Sequence, residues 1–112
     1  MIEKKEFFMD FETIPAKELD RYVREGRGVV IDLRSPEEYR EAHIRGAVNL
    51  PYEELESRFA YSRDQELILY CERGATSMAA ARELAEKHYR VKSVVGGILA
   101  YRGPNLVVSG KR

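Results

Sequence analysis

The chain has 112 residues, a length that fits one domain with a single hydrophobic core. Its 19 Lys and Arg balance its 19 Asp and Glu, so no net charge attracts nucleic acid or an anionic membrane. The single cysteine excludes an internal disulfide, and no apolar run approaches the ~20 residues that span a bilayer. Because the N-terminus also lacks the apolar stretch of a signal peptide, we expect a cytoplasmic protein without nucleic-acid or membrane partners. The 34% of charged residues fits a thermophilic protein and the compositional scatter of a short chain equally well.

The first half of the chain alternates short apolar runs with amphipathic ones. Val29–Leu33 is a continuous, largely β-branched run, the pattern of a strand that is buried on both faces. Ser35, Pro36 and Glu38 form a capping-box pattern, with serine as the cap and proline as the first helical residue. The predicted elements are an edge strand over 8–14, a helix over 15–25 closed by Gly26, a strand over 29–33, a helix from Ser35, a loop with a short strand over 44–50, and a helix over 53–61.

The second half predicts two more buried strands and one longer helix. These elements are a strand over 67–71, a helix over 77–88, a strand over 91–95 ended by two glycines, a short helix or turn over 98–102, and a tail over 106–108 that fits either a strand or a partner-binding edge. The β-α-β-α order predicts an α/β fold with a mostly parallel central sheet and helices on both faces. In such sheets functional groups gather beyond the carboxyl ends of the strands.

Cys71 lies at such a strand end, shortly before the helix that is predicted to start at Ser77. Backbone N–H groups and the helix dipole favour an anion there, and so the nucleophilic thiolate form of the side chain. The residues between contain no proline, so their N–H groups can surround the sulfur; they are Glu72, Arg73, Gly74, Ala75 and Thr76. Arg73 adds a positive charge, whereas Glu72 opposes the thiolate if it faces inward. The plain alternative is an inert, buried cysteine that merely ends a strand.

Four segments in this order resemble the signatures of the rhodanese (sulfurtransferase) family. They are an Asp-x-Arg followed by a helix start (30–39), a His-Ile-x-Gly-Ala-x-Asn-x-Pro run (43–51), a cysteine with glycine three positions later and serine six positions later (70–77), and a Gly-Gly segment with Tyr101 where tryptophan is usual (96–101). The resemblance covers about residues 12–108. It implies a single rhodanese-like domain over 1–112, a three-layer α/β/α sandwich with a mostly parallel central sheet.

The resemblance also implies a chemistry. Cys71 matches the nucleophile that takes a sulfane sulfur from thiosulfate or a persulfide and passes it to cyanide, a thiol or a protein cysteine. Glu72, Arg73, Gly74, Ala75, Thr76 and Ser77 match the loop that binds substrate and persulfide, and no cofactor is implied. Relatives that prefer thiosulfate carry two basic residues after the cysteine. The pair Glu72-Arg73 therefore argues against thiosulfate as the physiological donor.

Three other polar residues lie in the matching segments, and we expect them to be structural. Asp32 and Arg34 are expected to bond to each other and to loop backbone, and His43 to be hydrogen-bonded within a loop. The chain has no Cys-His pair at metal-ligand spacing, so we predict no metal. Two other functions stay open. One is a non-enzymatic regulatory or protein-interaction domain, whose members usually lack the cysteine. The other is a phosphatase or arsenate reductase, whose loop is one residue longer and carries arginine where this chain has Ser77.

Overall fold

The computed structural model describes residues 11–109, and its centre is a five-stranded sheet. The strands of this sheet are β1 (Glu12–Pro15), β2 (Val29–Asp32), β4 (Val48–Asn49), β5 (Glu66–Tyr70) and β6 (Arg90–Val95). Their order across the sheet is β1-β6-β5-β2-β4, and each neighbouring pair is parallel. A second, two-stranded sheet pairs β3 (Ala42–Ile44) antiparallel with β7 (Leu106–Val108). The predicted α/β fold with its mostly parallel sheet is confirmed, and β1 is an edge strand as expected, although residues 8–10 of that prediction lie outside the described residues.

Within the described part of the chain, four α-helices connect these strands. They are α1 (Leu19–Glu25), α2 (Pro36–Glu41), α3 (Leu55–Arg58) and α4 (Ala75–Glu86), with short 3-10 turns at Ala16–Glu18, Tyr52–Glu54 and Ile98–Ala100. Across residues 11–109, none of these helices has the length and apolarity that crossing a membrane requires.

The central sheet is covered on both faces, because successive side chains of a strand point in opposite directions. In β5, Leu67 and Leu69 belong to a buried cluster with Leu55 of α3 and the alanine-rich face of α4. The alternate residues Ile68 and Tyr70 belong to a second cluster, which includes residues of α1. The continuous apolar runs of the sequence are therefore the central strands of a three-layer sandwich.

Two helix boundaries follow the predicted local signals. The Ser35 side chain accepts the Glu38 N–H at 3.1 Å, and the Glu38 carboxylate accepts the Ser35 N–H at 3.1 Å, which completes the capping box around Pro36. Gly26 ends α1 in the left-handed conformation, with φ of 65°. Both features follow from residue types alone.

Several predicted boundaries are wrong. The helix predicted over 15–25 is α-helical only from Leu19, after a 3-10 turn over Ala16–Glu18. The helix predicted over 53–61 stops at Arg58, and Phe59 turns extended so that its ring packs edge-on against Tyr61 and Tyr89. The helix predicted over 77–88 begins at Ala75, because Gly74 already forms its N-cap, and it ends at Glu86. The segment around His43, predicted to be a loop, is strand β3, which forms against the distant β7. The tail over 106–108 is therefore a strand within this small sheet.

Candidate active site

Cys71 lies at the carboxyl end of β5, between that strand and α4, and its exposed fraction is 5%. Its Sγ accepts the backbone N–H of Gly74 at 3.1 Å and that of Ser77 at 3.3 Å. A group held by two N–H donors in a nearly dry site gains most from these bonds when it is negatively charged. The chain thus surrounds the sulfur with the contacts that an anionic sulfur needs.

The sulfur takes the place of a helix cap. Gly74 is the N-cap residue of α4, with φ of 110° and no side chain that could accept a hydrogen bond. Ser77 is the third residue of this helix, whose N–H an N-cap serine or aspartate would ordinarily bind. Here that N–H points at Cys71 Sγ, so the positive end of the helix dipole also faces the sulfur.

A second segment, the Gly96–Ala100 turn, supports the cysteine loop, which we define as residues 71–74. The Ile98 N–H donates to the Cys71 carbonyl at 2.9 Å, and the Leu99 N–H donates to the Glu72 carbonyl at 3.1 Å. Gly97, with φ of 63°, permits this approach, because a β-carbon there would lie 2.5 Å from the Cys71 carbonyl oxygen. The late Gly-Gly motif of the sequence therefore packs directly against the cysteine loop.

Behind the loop lies a pair of serines. Ser77 Oγ donates to the Gly74 carbonyl at 3.2 Å and lies 2.8 Å from Ser93 Oγ, which comes from β6. Both serines have an exposed fraction of 0%. Ser93 was not among the predicted site residues. Its only signal in the sequence is a small hydroxyl within an otherwise buried strand.

The remaining predicted loop residues differ in their surroundings. Ala75, Thr76 and Ser77 form the first turn of α4, which therefore starts two residues before the predicted Ser77. The physical reason is that Gly74 adopts the cap conformation itself and lets the helix start at once. Arg73 is exposed to solvent, whereas Thr76 is half-buried.

Glu72 is half-buried and its side chain reaches α2 rather than solvent alone. The hydrogen bond that the Glu38 carboxylate accepts from the Ser35 N–H lowers the pKa of Glu38, and a side-chain hydrogen bond with Glu72 acts in the same direction. Two carboxyl groups therefore lie together beside the cysteine loop. This contact joins the cysteine loop to the first turn of α2.

Asp32 and Arg34 form an ion pair at the carboxyl end of β2. The Arg34 Nη2 lies 2.8 Å from Asp32 Oδ2, and the exposed fractions of the two side chains are 10% and 0%. The same nitrogen donates to the Ala42 carbonyl, and the guanidinium lies over the Tyr70 ring at 5.9 Å. Burial opposes the charge of Arg34, but hydrogen bonds and attraction to Asp32 outweigh it and raise the pKa of Arg34. This pair joins the end of β2 to the start of β3.

His43 and Tyr70 connect β3 to the neighbouring elements α2 and β5. The His43 ring stacks on Tyr39 with 3.8 Å between centroids, and Nδ1 lies 2.7 Å from the Tyr39 carbonyl oxygen. The Tyr70 hydroxyl accepts the Ile44 N–H at 3.0 Å. Burial, reinforced by the nearby Asp32 carboxylate, raises the pKa of Tyr70 well above its usual value. His43 is thus fixed against α2, while Tyr70 ties the end of β5 to β3.

Comparison with known proteins agrees with this geometry. The family model of the rhodanese-like domain matches residues 15–103. A thiosulfate sulfurtransferase of Escherichia coli is 34% identical over 71 residues, covering 61% of this chain and 68% of that protein. A tRNA sulfurtransferase of Desulfurococcus amylolyticus is 36% identical over 77 residues, covering 69% of this chain but 15% of that protein. The crystal structure of a rhodanese-related protein from Thermoplasma volcanium superposes with a TM-score of 0.74 at 26% identity, covering 87% of this chain and 98% of that one.

The site and fold thus define a class of cysteine-centred α/β domains, and the chain belongs to the rhodanese-like domain family. Sulfurtransferases are among its relatives. The chain spans less than half the length of several of the curated relatives that it matches.

Proposed function

We propose that the protein is a sulfurtransferase that carries a sulfane sulfur on Cys71 as a persulfide. The observation that supports this most directly is the pair of backbone N–H groups on Cys71 Sγ, from Gly74 and Ser77. Donors fixed by a glycine cap and a helix start need no rearrangement as negative charge develops, which is the condition for electrostatic catalysis. The names of the related sulfurtransferases support the same role.

In the first step the Cys71 thiolate attacks the outer sulfur of a donor, either thiosulfate or an organic persulfide. A new S–S bond forms at Sγ while the donor's own S–S bond breaks. Its electron pair leaves with sulfite or with the donor thiolate. The N–H groups that hold Sγ before the reaction continue to face the inner sulfur of the product, so the persulfide is held in place.

In the second step an acceptor nucleophile attacks the outer sulfur, and Cys71 leaves as the thiolate. The chain has one cysteine, so no internal thiol can discharge the persulfide as a disulfide. The acceptor must therefore come from outside the chain: cyanide in the test tube, and a small thiol or a protein cysteine as the natural class. Its sulfur must approach a side chain that is only 5% exposed, which favours an extended or narrow acceptor over a flat surface.

The test is the intact mass of the protein after incubation with thiosulfate and, separately, with an organic persulfide donor. We expect a gain of one sulfur in the wild type, its absence in Cys71→Ser, and its removal by cyanide or a thiol. The exposed Ser62→Ala variant, which precedes the amino end of β5 whereas Cys71 follows its carboxyl end, provides a matched single-atom control that must still gain sulfur. No gain with either donor would contradict sulfur transfer and would favour a binding domain instead.

A further inference from the structure

We propose that Ser93 is a positioning residue for the reaction at Cys71, acting through a hydroxyl relay that we call the serine pair (Ser77 and Ser93). This inference rests on the proposed function, in which the sulfur-binding N–H groups of Gly74 and Ser77 matter for reactivity. The Ser93 hydroxyl contacts Ser77 rather than the sulfur itself. It lies on β6, a different strand from the one that carries Cys71.

The direction of the relay follows from counting hydrogens. A serine hydroxyl has one hydrogen to donate and lone pairs to accept with. Ser77 Oγ is placed to donate to the Gly74 carbonyl at 3.2 Å. The 2.8 Å contact between the two hydroxyl oxygens then requires Ser93 to be the donor and Ser77 to be the acceptor. The chain of bonds therefore runs from Ser93 to Ser77 and from Ser77 to Gly74.

The relay ends on the two residues that bind the sulfur. Gly74 and Ser77 each supply one of the N–H groups on Cys71 Sγ. The Gly74 carbonyl is also the acceptor for the first hydrogen bond of α4, from the Met78 N–H at 3.1 Å. A hydroxyl that holds Ser77 against the Gly74 carbonyl fixes the distance between these two donors. Ser93 in turn fixes the orientation of that hydroxyl.

The complete burial of the serine pair also supports a positioning role for Ser93. Both side chains have an exposed fraction of 0%, and the neighbouring residues of β6 include the buried Val91 and Val94. An apolar residue would pack in such a place without the cost of taking a hydroxyl out of water. A paired, fully buried hydroxyl network restricts its surroundings to one arrangement. Here that arrangement is the geometry of the sulfur-binding turn.

The experiment compares Ser93→Thr with Ser93→Val, two variants of nearly equal shape that differ in the hydroxyl. Because both add the same bulk to a buried strand position, packing changes affect them alike. We measure the second-order rate constant of sulfur loading from an organic persulfide by intact mass. We also measure the rate of Cys71 alkylation by iodoacetamide as a function of pH, and the urea midpoint of unfolding.

We expect Ser93→Val to load sulfur about three- to tenfold more slowly than Ser93→Thr, a difference that corresponds to the loss of one hydrogen bond in the relay. Its alkylation profile should move to higher pH, because donors that are less well fixed stabilise the thiolate less. A role in stability alone would move the urea midpoint and leave the loading rate and the alkylation profile of the folded protein unchanged. Equal rates and profiles for the two variants would overturn the proposal.

A second comparison tests whether Ser93 acts through Ser77. In a relay, Ser77→Ala already removes the link, so adding Ser93→Ala should slow loading by less than twofold further. If the loading rate of the double variant falls by the product of the two single-variant factors, the two serines act independently and the relay is overturned. The alkylation measurement needs no sulfur donor, so it tests the role of the serine pair even if the wild type gains no sulfur. A wild type that gains no sulfur would refute the proposed function but not the role of the serine pair.

Discussion

Removing the Asp32 carboxylate should destabilise the protein far more than removing an exposed one. In Asp32→Ala the Arg34 guanidinium loses its ion-pair partner, although the side chain is only 10% exposed and stays fixed by the Ala42 carbonyl. Stranding a charge in this way costs about 3–5 kcal/mol. Because a domain of this size is stable by about 5–15 kcal/mol, the variant should lose roughly a fifth or more of its stability.

Urea unfolding followed by circular dichroism measures this loss. With a slope of about 1–3 kcal/mol per molar urea, the midpoint should fall by about 2 M. The control is Glu54→Ala, which removes an ion pair with Arg58 on the surface of the protein, where the exposed fractions are 59% for the arginine and 41% for the glutamate. An exposed helical pair of this kind is worth about 0.3–0.5 kcal/mol, so its midpoint should barely change.

A double variant separates the stranded charge from the lost contacts. Adding Arg34→Met to Asp32→Ala removes the unpaired cation while keeping a side chain of similar length in the same place. If the unpaired charge causes most of the loss, the double variant should recover at least about 1 kcal/mol. A double variant that is less stable than Asp32→Ala alone would refute the reasoning.

Three further predictions concern other parts of the structure. Burial disfavours the Glu66 carboxylate, but hydrogen bonds, first of all with Lys92, outweigh it and lower the pKa of Glu66 below its usual 4.5. Its contribution to stability is therefore fully present above about pH 4.5 and is lost progressively as the pH falls below that value. Glu66→Gln should be less stable than wild type by about 1–3 kcal/mol at pH 7, and the difference should shrink steadily in chemical unfolding at more acidic pH. A difference that stays constant as the pH falls would contradict this. Gly97→Ala brings a β-carbon against the backbone carbonyls of Cys71 and Glu72, so the rate of sulfur loading measured by intact mass should fall at least tenfold. An unchanged rate would contradict the prediction, because it would mean that the turn shifts without disturbing the cysteine loop. Glu72→Lys places a cation directly after Cys71, so loading from the doubly charged thiosulfate should rise about three- to tenfold. The change should be smaller for an alkyl persulfide, which carries less charge, and equal changes for both donors would contradict an electrostatic cause.

The central strands and the capped helix ends could be predicted because their signals are local. A run such as Val29–Leu33 leaves few alternatives to a buried strand, and Ser35 with Glu38 specifies a helix start within four residues. The end of β5 at Tyr70 then fixes where Cys71 stands in the sheet. These three signals suffice to place the thiol between a strand end and a helix start.

The parts that the sequence could not predict depend on distant pairing. Strand β3 exists because β7, more than 60 residues later, pairs with it, and neither three-residue segment has a strong pattern of its own. The role of Ser93 could not be predicted from the sequence for a similar reason. Its role depends on a contact with Ser77 across elements, and a lone serine within a strand carries no local signal of that contact. Glycine at position 74 permits a left-handed conformation, but its residue type does not reveal that it caps the helix rather than extends the loop.

In the proposed sulfur transfer, the cap arrangement joins the chemistry of Cys71 to the folding of α4. In most helices a side chain at the N-cap itself binds the free N–H of the third residue. Here the cap is a glycine, and the acceptor is a sulfur three residues earlier in the chain. The same N–H groups that complete the helix start are therefore the ones that stabilise charge on the sulfur. A substitution that improves the cap, such as a serine or aspartate at Gly74, would compete with the sulfur for the Ser77 N–H and force a non-glycine residue into a φ of 110°. The helix start is thus less well capped than it could be, and the missing cap is what leaves donors available for the chemistry.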